Sequence, residues 1–123
     1  MKNNIKKINE KTISIVFIFL CAIFAFYIST TLPDNSAPDE KMKMDICQYI
    51  ANYGKLPHGG DELVRDPAWG ISYGFTPILS YIIGGIFIKL ISFFTQDIHF
   101  FYIAARFASV IFYSVFILFT IKI

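Results

Sequence analysis

The chain has 123 residues, of which 55% are hydrophobic, 18% aromatic and only 16% charged. Soluble domains carry about 25% charged residues, and so short a chain cannot bury that much apolar surface in one core of its own; the surplus must meet lipid or a partner. A net charge of +2 is too small for a nucleic-acid binder, and its uneven distribution matters more than its sum.

Residues 1–12 form a polar tail in which Lys2, Lys6, Lys7 and Lys11 stand against Glu10. Ile13 to Leu32 then runs uncharged for twenty residues, the length an α-helix needs to cross about 30 Å of hydrocarbon. A cleavable signal peptide has a shorter apolar region of about 7–15 residues and a small-residue cleavage site. Tyr27-Ile28-Ser29-Thr30-Thr31-Leu32 offers no such site, so residues 13–32 read as an uncleaved signal anchor. The lysine cluster places the N-terminus in the cytoplasm by the positive-inside rule.

Residues 33–76 form an extracytoplasmic loop with seven acids against four bases. Ser36-Ala37-Pro38-Asp39-Glu40 carries helix-start residues, and Gly54-Lys55-Leu56-Pro57 carries stop residues. Met42, Ile46, Tyr49, Ile50 and Tyr53 recur at helical spacing between them. The reading is an amphipathic interfacial helix over about 38–53, its stripe toward the membrane. On that wheel Asp39 heads the apolar stripe, Glu40 faces water and Asp45 sits at the stripe's other edge. A carboxylate on the buried side needs a partner or a use, and burial would suit a general base. The plainer alternative makes Asp39 and Glu40 helix-dipole residues, with Asp39–Lys43 and Lys41–Asp45 as i,i+4 pairs.

Further along the loop, His58 stands in a glycine turn, and Asp61-Glu62 is an adjacent carboxylate pair that suggests a divalent cation only feebly. Trp69 and Tyr73 suit an interfacial aromatic belt. Residues 77–94 are predicted to be the second span, with Gly84-Gly85 permitting close helix contact or a bend. Residues 95–99 form a cytoplasmic turn, flanked by Lys89 and Arg106, and residues 100–121 are the third span. Lys122 falls on the outer side in this scheme, against the positive-inside count. Cys21 and Cys47 lie at different depths, which argues against a disulfide between them. The fold class is therefore an all-α membrane protein with three transmembrane helices and an interfacial helix in the first outer loop.

The order of features resembles the front of the GT-C superfamily of polytopic membrane glycosyltransferases, which includes protein mannosyltransferases and aminoarabinose transferases. The resemblance rests on Ala37-Pro38-Asp39-Glu40 after a lysine-led span, on Tyr49-Ile50-Ala51-Asn52-Tyr53-Gly54-Lys55-Leu56-Pro57, on Tyr73-Gly74-Phe75-Thr76-Pro77-Ile78-Leu79-Ser80-Tyr81, and on Ala104-Ala105-Arg106-Phe107-Ala108-Ser109. It implies a polyprenyl-phosphate-linked sugar donor, transfer at the outer membrane face, and a loop acid that deprotonates the acceptor. Asp39 matches that acid, with Glu40 as its supporting neighbour. Asp45, His58, Trp69 and Tyr73 would line the acceptor side, and Arg106 matches a family arginine expected to be structural. Two departures stand out: Phe75-Thr76-Pro77 replaces the family's histidine or second proline, and three spans are far fewer than such enzymes carry. The chain thus reads as an incomplete portion of such an enzyme, inactive alone, whose partners are membrane lipid and other membrane helices. The competing readings are a non-catalytic interaction subunit or degenerate remnant and, ranked last, a transporter piece. The last would need paired charges at mid-membrane, whereas Lys89 and Arg106 lie toward one end of their runs.

Overall fold

The computed structural model describes residues 2–67 and 78–122, with backbone only for residues 2–9 and 122. Its described elements are helical: α1 (Lys2–Thr31), α2 (Glu40–Tyr53), a 3-10 turn (Glu62–Val64), α3 (Ile78–Ile91) and α4 (Ile98–Lys122). Trp69 and Tyr73 lie outside the described residues.

Among the described residues, two helices are long and apolar enough to cross a membrane: the Glu10–Thr31 part of α1 and the Ile98–Ile121 part of α4. Only 6% of the α1 window is buried, so its Phe17, Phe19 and Phe24 remain largely exposed. The two run antiparallel. Phe26 meets the Phe107 ring edge-on at 5.9 Å, Arg106 reaches the Ser29 carbonyl, and His99 Nδ1 lies 2.8 Å from Asp34 Oδ1.

That last contact is not one expected between three successive spans. A single crossing between α1 and α4 would hold residues 34 and 99 on opposite faces, about 30 Å apart. Instead the 95–99 turn lies at the end of α1 where the loop begins. The segment expected as the second span is described as the 14-residue α3, about 21 Å long at 1.5 Å per residue. It folds back on α4 through residues 92–97, with Phe87 against Phe107 at 5.0 Å.

The Gly84-Gly85 pair sets how closely α2 crosses α3. A Cβ at Gly85 would stand 2.8 Å from Ile50 Cγ2 and 3.0 Å from the Cys47 carbonyl oxygen, and one at Gly84 would stand 2.9 Å from Cys47 Sγ. Here the glycines admit a loop helix, where close contact of spans was one expectation. The α2 stripe is correspondingly covered by protein: Ile46, Tyr49 and Ile50 pack with Val64, Tyr81 and Ile82, while Met44, Cys47 and Ala51 join Ile88, Tyr102 and Ala104. Tyr53, expected in the stripe, is exposed. α3 also keeps an open apolar face, through Leu79, Ile86 and Leu90. Burial pushes the Cys47 thiol up to about 12, because a thiolate has no solvation there.

Candidate functional site

The site forms where α1 ends and α2 begins. The last turn of α1 leaves carbonyls without intrahelical donors. Leu32 still donates back to Ile28 at 3.1 Å, but the oxygens of Ser29, Leu32 and Pro33 point outward. Arg106, two turns into α4, answers them. Its Nη1 donates to Ser29 O at 3.1 Å and Leu32 O at 2.8 Å, and its Nη2 to Pro33 O at 2.7 Å. A cation at a helix C-terminus also opposes the negative end of the dipole. Arg106 therefore caps α1 from another helix.

The remaining donors go to Glu40. Nε donates to Oε1 at 2.6 Å and Nη2 to Oε2 at 3.1 Å. A guanidinium has five N–H donors, and all five are engaged. Glu40 is equally committed, since Oε2 also accepts the backbone N–H groups of Ser36 and Ala37 at 2.9 and 3.4 Å. The two side chains retain 12% and 14% of their exposure, so the pair is shielded from solvent. The Tyr102 ring lies 5.7 Å from the guanidinium carbon, over its face. The Arg106 hydrogen bonds hold the Glu40 carboxyl below the usual carboxylate range, helped by the Ala37 and Ser36 amides and against the desolvation that would raise it.

This overturns the expected placing of three residues. Arg106, expected at the far membrane face, binds the loop. Glu40, expected in water, is the paired and shielded acid. Asp39, expected on the buried stripe, is exposed. The cause is where the helix starts. Asp39 precedes α2 in the left-handed region, at φ 59°, ψ 15°, so a helical wheel does not place its side chain. Asn35 is left-handed as well, at φ 55°, and its Oδ1 accepts the Lys41 N–H at 3.2 Å. Aspartate and asparagine tolerate this conformation better than other residues with side chains, so residues 32–40 turn tightly between the two helices.

Grooves open on both sides of the Arg106–Glu40 clasp. One, about 500 Å³, runs between α1 and α4 from Pro38 and Lys43 toward Phe24 and Tyr113. The other, about 290 Å³, lies between α2, α3 and α4, against Met44, Cys47, Tyr81 and Tyr102. Glu40, Lys43, Arg106 and Ser109 line both. Asp39 sits between Pro38 and Glu40 but outside either lining.

The other predicted site residues are not gathered here. Asp45 accepts from Lys41 at 2.8 Å, the expected i,i+4 pair, and lines a separate groove of about 170 Å³ with Tyr49, Asn52 and Leu63. His58 stays in its loop: its N–H donates to Asp61 Oδ2 at 2.7 Å, and its Nδ1 accepts the Gly60 N–H at 3.0 Å. Asp61 is held below the usual carboxylate range, chiefly by that His58 amide. Glu62 pairs with Arg65 at 3.0 Å, so the adjacent acids turn to separate partners. Among the described residues no three His, Cys, Asp or Glu side chains converge to hold a metal. No protein family, curated protein or solved structure matches the chain.

Proposed function

We propose that this chain is the front portion of a GT-C-type membrane glycosyltransferase, with Asp39 as the base that activates the acceptor hydroxyl. The observation that carries this reading is the division of labour within Asp39-Glu40. Glu40 has both oxygens occupied by Arg106 and by backbone amides, and its lowered pKa makes it a poor proton acceptor. Asp39 is the next residue, exposed, on a short turn anchored by that clasp.

In this mechanism Asp39 takes the proton as the acceptor oxygen attacks the anomeric carbon of the sugar. The bond from that carbon to the phosphate oxygen breaks, and polyprenyl phosphate leaves with the electron pair. The donor-holding spans of such an enzyme would lie outside this chain.

The topology that accompanies this function has two crossings. The lysine-rich start and Lys122 share the cytoplasmic side, which removes the conflict Lys122 posed for three spans. Residues 33–97 stand outside, with α2 and α3 at the membrane surface.

Asparagine also tolerates a left-handed backbone, so Asp39→Asn removes the charge without opposing the turn. In a chain carrying the donor-binding spans, transfer to acceptor should fall by about 100-fold or more, the scale of general-base catalysis, while the protein still inserts. Transfer at the unmodified rate would remove Asp39 from the reaction. A cysteine at Ser36 should react with an impermeant maleimide from outside intact cells; labelling only after permeabilisation would invert the topology. A second reading, a non-catalytic interaction subunit, draws on the uncovered length of α1, which partner helices would cover.

A further inference from the structure

The two grooves beside the clasp differ in what they could hold. The α1–α4 groove follows the facing sides of the two helices able to cross a membrane. Its walls are Phe24, Ala25 and Ile28 on α1 with Val110 and Tyr113 on α4. Its mouth carries three charged groups, Glu40, Lys43 and Arg106. Two of these neutralise each other at 2.6 Å, with every guanidinium donor spent. Lys43 remains, exposed on α2 and in no ion pair among the described residues. The groove is thus an apolar shaft, open along its side, under a mouth whose three charged lining groups sum to one positive charge.

We propose that this groove binds an anionic glycerophospholipid of the bilayer, with the phosphate against the Lys43 ammonium and an acyl chain between α1 and α4. An ammonium at the membrane surface attracts anionic headgroups, and a lysine stem can lie on apolar surface while its head meets the phosphate. The acyl chain supplies the contacts that the two helices leave unmade along the shaft. Ser109, which also lines the groove, adds a hydroxyl donor. The site needs only that α1 and α4 cross a bilayer; it does not depend on glycosyl transfer.

The test is native mass spectrometry of the full chain, equilibrated in mild detergent with equal amounts of phosphatidylglycerol and phosphatidylcholine. One phosphatidylglycerol should be retained, with about fivefold preference, the factor expected of one lysine near an anionic headgroup. Lys43→Glu should abolish the preference, whereas Lys55→Glu, in the loop after α2, should leave it. Val110→Trp should fill the shaft and release the lipid, with helix content unchanged by circular dichroism. Equal retention of both lipids, or a preference that survives Lys43→Glu, would overturn the proposal. So would displacement of phosphatidylglycerol by an equal concentration of polyprenyl phosphate, which would give the groove to a donor lipid.

Discussion

The Arg106–Glu40 clasp and the loop that follows α2 use the same residue types to different ends. In the loop, Glu62 pairs with Arg65 and His58 with Asp61, partners three residues apart whose side chains are for the most part open to solvent. The clasp joins residues 66 apart, in a setting that leaves each side chain about one-eighth exposed. Exposed pairs contribute about 0–1 kcal/mol, since water serves each charge nearly as well. A shielded pair in which every guanidinium donor and both carboxylate oxygens are engaged is different. Its formation is close to neutral, but removing one member strands the other. The loop contacts describe local chain geometry, while the clasp holds three helices together.

The sharpest way to break this contrast is Arg106→Ala. It leaves the Glu40 carboxylate and the carbonyls of Ser29, Leu32 and Pro33 without their donor. The expected loss is about 3 kcal/mol, the lower end for breaking a buried pair because some exposure remains, read as a fall in thermal stability in detergent. Arg106→Lys should recover little, because an ammonium cannot reproduce a five-donor fork. A loss under about 0.5 kcal/mol for Arg106→Ala would put the clasp in the same class as the loop pairs.

Acid should act on the same contact more gently, since a neutral carboxyl still accepts a hydrogen bond. The folded-state pKa of Glu40 lies below its ordinary value of 4.5. Its contribution is therefore present in full above that value and fades as pH falls through the lower folded pKa. A stability titration should show this acid loss, and Glu40→Gln should flatten it. An unchanged acid limb in that variant would detach the loss from Glu40.

The packing behind the clasp should respond next. Gly85→Ala sets a methyl against Ile50 Cγ2 at 2.8 Å and a backbone oxygen at 3.0 Å, and should cost about 1–2 kcal/mol of overpacking. Gly84→Ala should cost less, because the nearest atom it meets is the Cys47 sulfur, with the α4 backbone at 3.5 Å. Equal costs would mean that α2 and α3 separate as rigid bodies. The smallest effect is expected from Glu62→Gln, within about 0.5 kcal/mol, by the same melting assay.

The same contrast explains what could be read in the chain beforehand. The apolar runs at 13–32 and 100–121 correspond closely to the two long helices, because a run of that length has few ways to satisfy its backbone. The α2 period and the Lys41–Asp45 pair were legible for the same reason: both are set within a few residues. The second run is ambiguous in sequence because hydropathy does not separate a helix facing lipid from one pressed against α2. Cys47 was missed as a core residue because Asp45 and Gln48 flank it. The faces of Asp39 and Glu40 were exchanged because one left-handed residue breaks the wheel at its first position. Nothing near Glu40 in sequence names Arg106, which reads from the sequence only as a flank of the 95–99 turn.

The span of the clasp also has a consequence in time. Synthesis proceeds from the N-terminus at about 5–20 residues per second, so Glu40 leaves the ribosome roughly 3–13 s before Arg106, given their separation of 66 residues. For that interval the first helix has no cap from α4 and the acidic turn no counter-charge from it. The hinge between them therefore reaches its final shape only after Arg106 has been made.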